Sequence, residues 1–108
     1  MTLSSELDEI ENEIAQPVNW LLFFKTNNDF SYVDIIFKRS NSDKMYMRIS
    51  EMIDDKNISE IEKHIINLIN LYASIREPVY MITDKQNNIK CMLQKYMPRL
   101  FSRVHQII

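Results

Sequence analysis

The side chains that could do chemistry in this 108-residue sequence are few and scattered. Glu60 and His64 stand four positions apart, which on a helix sets a carboxylate beside an imidazole and could make a general base. No serine, cysteine or second histidine lies at a useful local spacing, and both residues fall away from the main apolar stripe of their helix. A surface pair is the plainer reading. Asp54 and Asp55 read as loop or capping residues, because a hard-cation site needs more oxygen ligands at ordered intervals. Cys91 is the only cysteine, so it has no internal disulfide partner, and the two distant histidines do not complete a four-ligand zinc site. It alternates in register with Ile89 and Leu93, which predicts a small core hydrophobe on a strand. No catalytic residue, metal ligand or cofactor is assigned, and the protein is expected not to be an enzyme.

Glycine is absent altogether. This removes the P-loop, the dinucleotide fingerprint and the G-x-S-x-G elbow, in which a backbone must crowd a phosphate or turn sharply under a nucleophile. Turns with positive φ then fall to asparagine and aspartate, and Asn27-Asn28, Asn41, Asn57 and Asn87-Asn88 sit where the apolar pattern breaks.

The element expected to organise the chain is a helix from Asn57 to Ile75. Ile58, Ile61, Ile65, Leu68, Tyr72 and Ile75 step by three and four, and Ile66, Ile69 and Leu71 widen the stripe beyond the ~100° that one core contact needs. Asn57 with Glu60, or Ser59 with Glu62, could form a capping box, and Pro78 marks the stop. Before it, Leu3, Leu7, Ile10 and Ile14 predict a narrow amphipathic helix over residues 3 to 15 that ends at Pro17. Trp20 to Phe24 predicts a strand buried on both faces, Phe30 to Arg39 a second strand, and Met45 to Ser50 a third, joined as an antiparallel meander. After the central helix, Val79 to Thr83 and Ile89 to Tyr96 predict a hairpin, and Pro98 opens a short closing helix through Val104 and Ile107. The expected fold is a single α+β domain over residues 1–108, an antiparallel sheet packed with helices in the order α-β-β-β-α-β-β-α.

Lysines and arginines total 13 against 15 acids, so bulk charge favours neither nucleic acid nor membrane. Its distribution is uneven. Residues 1 to 15 hold five acids and no base, whereas Lys85, Lys90, Lys95, Arg99 and Arg103 lie in a stretch without an acid. The first helix could partner those bases within the chain, or Glu6, Glu9 and Glu13 could face a basic partner. The C-terminal bases beside Tyr96 and Phe101 could grip nucleic acid, but the aromatics fall at core-facing periodicity, so none is expected. No stretch reaches the ~18 apolar residues of a membrane span, and the acidic N-terminus lacks a signal-peptide pattern, so a cytoplasmic location is expected.

Met45, Met47, Met52, Met81, Met92 and Met97 cluster in or beside the strands, where β-branched residues are the norm. Methionine fills ordinary cores and also lines surfaces that accept varied apolar partners; both readings stay open. With Phe30, Tyr32 and Ile36 on the second face of a strand, these residues predict more apolar surface than one small core hides, and hence a partner chain.

An acidic small chain with this order of elements, a wide central helix and a late hairpin from Val79-Tyr80-Met81-Ile82-Thr83-Asp84 to Asn88-Ile89-Lys90-Cys91-Met92-Leu93 resembles the effector chaperones of bacterial type III secretion systems. The resemblance covers nearly the whole chain and rests on topology. It implies a homodimer joined through the central helix, here Ile61, Ile65, Leu68, Ile69, Tyr72 and Ile75, and a secreted effector segment held on apolar surfaces such as Phe30, Tyr32, Ile36, Met45 and Met47. The alternative class is a small immunity protein or phage-type inhibitor that plugs a toxin or enzyme with its acidic N-terminal helix.

Overall fold

The run Trp20-Leu21-Leu22-Phe23-Phe24 offers water no polar side, and it becomes the middle strand of the sheet. The computed structural model describes residues 20–74, 77–83 and 88–106. Strands β1 (Trp20–Thr26), β2 (Tyr32–Arg39) and β3 (Met45–Met52) form a meander, and helix α1 (Ile58–Tyr72) leads to β4 (Val79–Thr83). Helices α2 (Asn88–Tyr96) and α3 (Pro98–Arg103) follow, then the two-residue strand β5 (His105–Gln106). The strand order is β3-β2-β1-β4-β5, a mixed sheet. The predicted N-terminal helix lies outside the described residues.

Two expectations about this order need correction. β1 is antiparallel to β2 but parallel to β4, and β4 is parallel to β5, so the sheet is not wholly antiparallel. The cause is the crossover: a helix between β3 and β4 returns the chain in the direction of β1, whereas only short hairpins reverse it. The second correction concerns residues 88 to 96, which form α2 and not a returning strand. Ile89, Leu93 and Met97 are buried at a spacing of four, while Cys91 is exposed. Ile89 and Leu93 fit both a period of two and a helical step, and neither the intervening Lys90, Cys91 and Met92 nor the following Gln94 and Lys95 are β-branched or aromatic. The closing helix stops at Arg103, and Val104 is already extended.

Alternation gives the sheet two distinct faces. Trp20, Leu22 and Phe24, with Val33, Ile35, Phe37, Met47, Ile49, Val79 and Met81, meet the helices in one core. Into it α1 sends Ile61, Ile65 and Ile69, α2 sends Ile89 and Leu93, and α3 sends Leu100. Leu21, Phe23, Ile36 and Ile82 occupy the opposite face and are buried too, yet stand apart from that core.

Helix α1 is capped differently from the sequence expectation. Asn57 is its N-cap, but its side chain makes no cap bond; it accepts from the Asp54 N–H and donates to the Met52 carbonyl. Asp54 in turn accepts from the Lys56 and Asn57 N–H groups, so the loop is closed by its own side chains. Glu62 is buried and reaches away from Ser59 to the start of α3, where its Oε2 accepts the N–H groups of Arg99 at 2.9 Å and Leu100 at 3.1 Å. Pro98 takes the first helical turn there, as its sequence position predicts.

Candidate protein-binding edge

β3 is the outer strand of the sheet, and among the described residues no strand lies beyond it. Eight residues long, it presents one whole side of its backbone to whatever approaches. β5, at the opposite edge, has two residues and offers almost no template. A register shift against Phe37 and Lys38 leaves Tyr46 as the extra residue of a bulge, after which β3 pairs regularly to Met52. Ile53 continues the ladder by donating to the Ser31 carbonyl at 2.7 Å.

Apolar groups stand exposed at both ends of this strand. Met45 is 39% exposed and Met52 is 65% exposed. At the Met45 end, the Tyr46 ring meets Tyr72 edge-on at 4.9 Å and Trp20 at 5.1 Å, and the Lys44 ammonium lies 4.8 Å above it. Tyr72 is 43% exposed, so the last turn of α1 adds apolar surface to this junction, and the neighbouring Leu71 is 70% exposed. At the Met52 end, Tyr32 is its cross-strand partner. Just beyond, Phe30 stacks between Phe24 and Tyr96 and walls a cavity of about 190 Å³, completed by Asp29, Ser31, Ile53, Asp54, Asp55 and Ile58. With a rise of ~3.3 Å per residue, an extended segment of about eight residues spans from one apolar end to the other.

The turn that holds Phe30 is closed by its own side chains. Phe30 takes φ 56, the left-handed region where the sequence reading expected asparagine or aspartate. Asn41, at φ 60, does follow that expectation. Around Phe30, Asn27 Oδ1 accepts the N–H groups of Ser31 and Tyr32, and Asp29 Oδ1 accepts the Ser31 hydroxyl at 2.6 Å. That hydroxyl bond, aided by backbone N–H groups, holds the Asp29 carboxyl below its ordinary value of 3.8. A depressed carboxylate pKa means that the turn gains from ionised Asp29 above the ordinary range and loses that gain as pH falls through the folded value. In a carboxyl-detected NMR titration, Asp29 should titrate below the ordinary value, and Ser31→Ala should move it back up. An unchanged midpoint in the variant would contradict the assignment to the hydroxyl.

The residues singled out in the sequence divide among several places. Ile61, Ile65 and Ile69 are inside the chain's own core, Leu68 is half-buried, and only Tyr72 of the expected helix interface is exposed; Ile75 lies outside the described residues. The stripe is therefore turned so that Ile69, and not Leu68 or Tyr72, continues the buried line. Of the expected client-binding residues, Phe30, Ile36 and Met47 are buried, whereas Tyr32 and Met45 are exposed at the β3 side of the sheet. Glu6, Glu9 and Glu13 lie outside the described residues. Met81 and Met97 are core residues, so the methionines divide between filler and surface. Glu60 and His64 are both exposed, with no hydrogen bond or ion pair between them among the described residues. Met52 was named only within the methionine cluster and Leu71 only as widening the helix stripe, and the Asp29–Tyr96 cavity was not foreseen. β3's position at the edge was the missing signal, and only the crossover to β4 reveals it.

Among the described residues there is no group of three or more His, Cys, Asp or Glu that could hold a metal ion, and no helix long and apolar enough to cross a membrane. No family model matches the chain, and no curated protein matches it either.

Proposed function

We propose that this is a non-enzymatic binding protein that holds an extended segment of a protein partner along β3, in the manner of a secretion chaperone with its effector. The observation that carries this reading is the eight-residue edge strand, with no strand beyond it among the described residues and exposed methionines at both ends. Strand addition supplies backbone hydrogen bonds that are blind to sequence, and side-chain sites beside the edge supply preference. Methionine suits such sites because its unbranched thioether adapts to differently shaped partners. Alternate side chains of the segment would meet Met45 and Met52 on one side of the sheet and the Tyr46–Tyr72 junction on the other. Asp29, Asp54 and Asp55 around the cavity favour a basic residue at that end of the segment. The homodimer through α1 is not carried forward, because Ile61, Ile65 and Ile69 already serve the chain's own core.

The test uses a library of random 12-residue peptides displayed on phage, selected against the full chain. Selected sequences should place apolar residues at every second position with Lys or Arg toward one end. The double variant Met45→Lys, Met52→Lys should keep the fold, since both side chains are exposed, but should weaken the best peptide about tenfold or more, the loss of ~1.4 kcal/mol of apolar contact. Failure to select any such peptide, or binding indifferent to both lysines, would overturn the reading.

A further inference from the structure

The second face of the sheet poses a separate question. Cross-strand partners place Leu21 beside Lys38 and Tyr80, Phe23 beside Ile36 and Ile82, and Lys25 beside Asp34. Next to Ile36 on β3 stands Arg48, whose guanidinium lies 3.4 Å from Asp34, and Asp34 also accepts the Ser50 hydroxyl at 2.7 Å. The face is thus an apolar floor crossed by Lys25, Lys38 and Arg48, with Asp34 the acid among them. Leu21, Phe23, Ile36 and Ile82 are buried, and Lys38 is only 5% exposed. Every buried apolar side chain of α1, α2 and α3 belongs to the core on the other face.

We infer that the N-terminal segment, residues 3 to 15, docks across this second face and completes a three-layer molecule with the sheet in the middle. Three observations point to this occupant. The segment precedes β1 by only residues 16 to 19, and Leu21 and Phe23 of β1 form the floor. A helix over residues 3 to 15 is about 20 Å long, enough to cover a floor about 13 Å by 10 Å. Residues 16 to 19 reach about 13 Å, more than the ~10 Å between a helix axis and the surface it packs on.

Charge and periodicity agree with that geometry. Residues 1 to 15 carry five acids and no base, opposite a face whose cations outnumber its acid. At 100° per residue, Leu3, Leu7, Ile10 and Ile14 share one stripe; Glu6 and Glu13 flank it on one side and Glu11 on the other, while Asp8 and Glu9 point away. A second copy fits less well, because two such faces opposed would bring Lys25, Lys38 and Arg48 against their own images.

The direct test is methyl NMR on the full chain. Nuclear Overhauser contacts should join the Leu7, Ile10 or Ile14 methyls to Leu21, Phe23, Ile36 or Ile82 within one chain. Solvent-like Leu7 and Ile10 methyls without such contacts would overturn the inference, and so would contacts seen only between differently labelled chains, which would make a second copy the occupant. Charge reversal gives an independent readout. Glu6→Lys with Glu13→Lys should lower the melting temperature by about 4–8 °C, whereas Asp8→Lys with Glu9→Lys should scarcely move it. Equal effects of the two pairs would contradict the assigned face.

Discussion

Replacing Ile65 by aspartate is expected to unfold the chain. Ile65 is wholly buried on the inner side of α1, between its own helix neighbours Ile61 and Ile69 and the sheet. Removing an isoleucine from such a site costs about 2–5 kcal/mol through lost burial and the cavity left behind. An unpartnered carboxylate in the same space adds several kcal/mol more, or is kept neutral at comparable cost. Together these approach the ~5–15 kcal/mol that stabilises an ordinary domain. Far-UV circular dichroism and urea unfolding should therefore show loss of the native state in dilute protein. The contrast along the helix matters as much as the single result. Leu68→Asp, at a half-buried position, should destabilise the chain without abolishing its fold, and Leu71→Asp, at an exposed one, should be nearly silent. A folded Ile65→Asp protein that had merely lost a partner would contradict the placement of α1.

Glu62→Ala carries the second large effect. The carboxylate is buried and accepts both Arg99 N–H and Leu100 N–H, so it joins the middle of α1 to the first turn of α3 across 37 and 38 positions of sequence. Truncation leaves two donors facing a cavity, each costing about 1–3 kcal/mol when unpaired. A total of about 2–5 kcal/mol is expected, measured as a lower urea midpoint with an unchanged slope. Glu62→Gln keeps an acceptor oxygen in place and should recover part of the loss. Equal loss in both variants would mean that charge, and not hydrogen-bond acceptance, is what α3 requires.

Much of this architecture was legible because its elements have unambiguous patterns. Trp20 to Phe24, short and rich in aromatics, fits a doubly buried strand best, the Val79–Thr83 strand has the expected ends, and the Ile58–Tyr72 helix announces itself by its isoleucines. Which part of the helix stripe faces inward was not legible, since Leu68, Ile69 and Tyr72 all suit an apolar face and only packing selects Ile69. The late hairpin failed for a local reason: two apolar residues four apart, Ile89 and Leu93, satisfy both periods. With that hairpin replaced by α2, the element order from which a resemblance to secretion chaperones was argued loses its support, and the proposal rests on the edge strand instead. Glu62 was read as a local cap because its true partners are remote in sequence. The same blindness applies to the edge itself. Met45 and Met52 differ little from Met47 and Met81 as letters, and become different residues only once β3 is outermost.

Amide hydrogen exchange of the full chain, with and without the best selected peptide, reaches the proposed binding mode without intermediates. Strand addition should slow exchange at alternate backbone amides between Met45 and Met52, leaving β5 and the exposed face of α1 unchanged. Tight peptide binding that leaves those β3 amides as they were, and protects another surface, would contradict it.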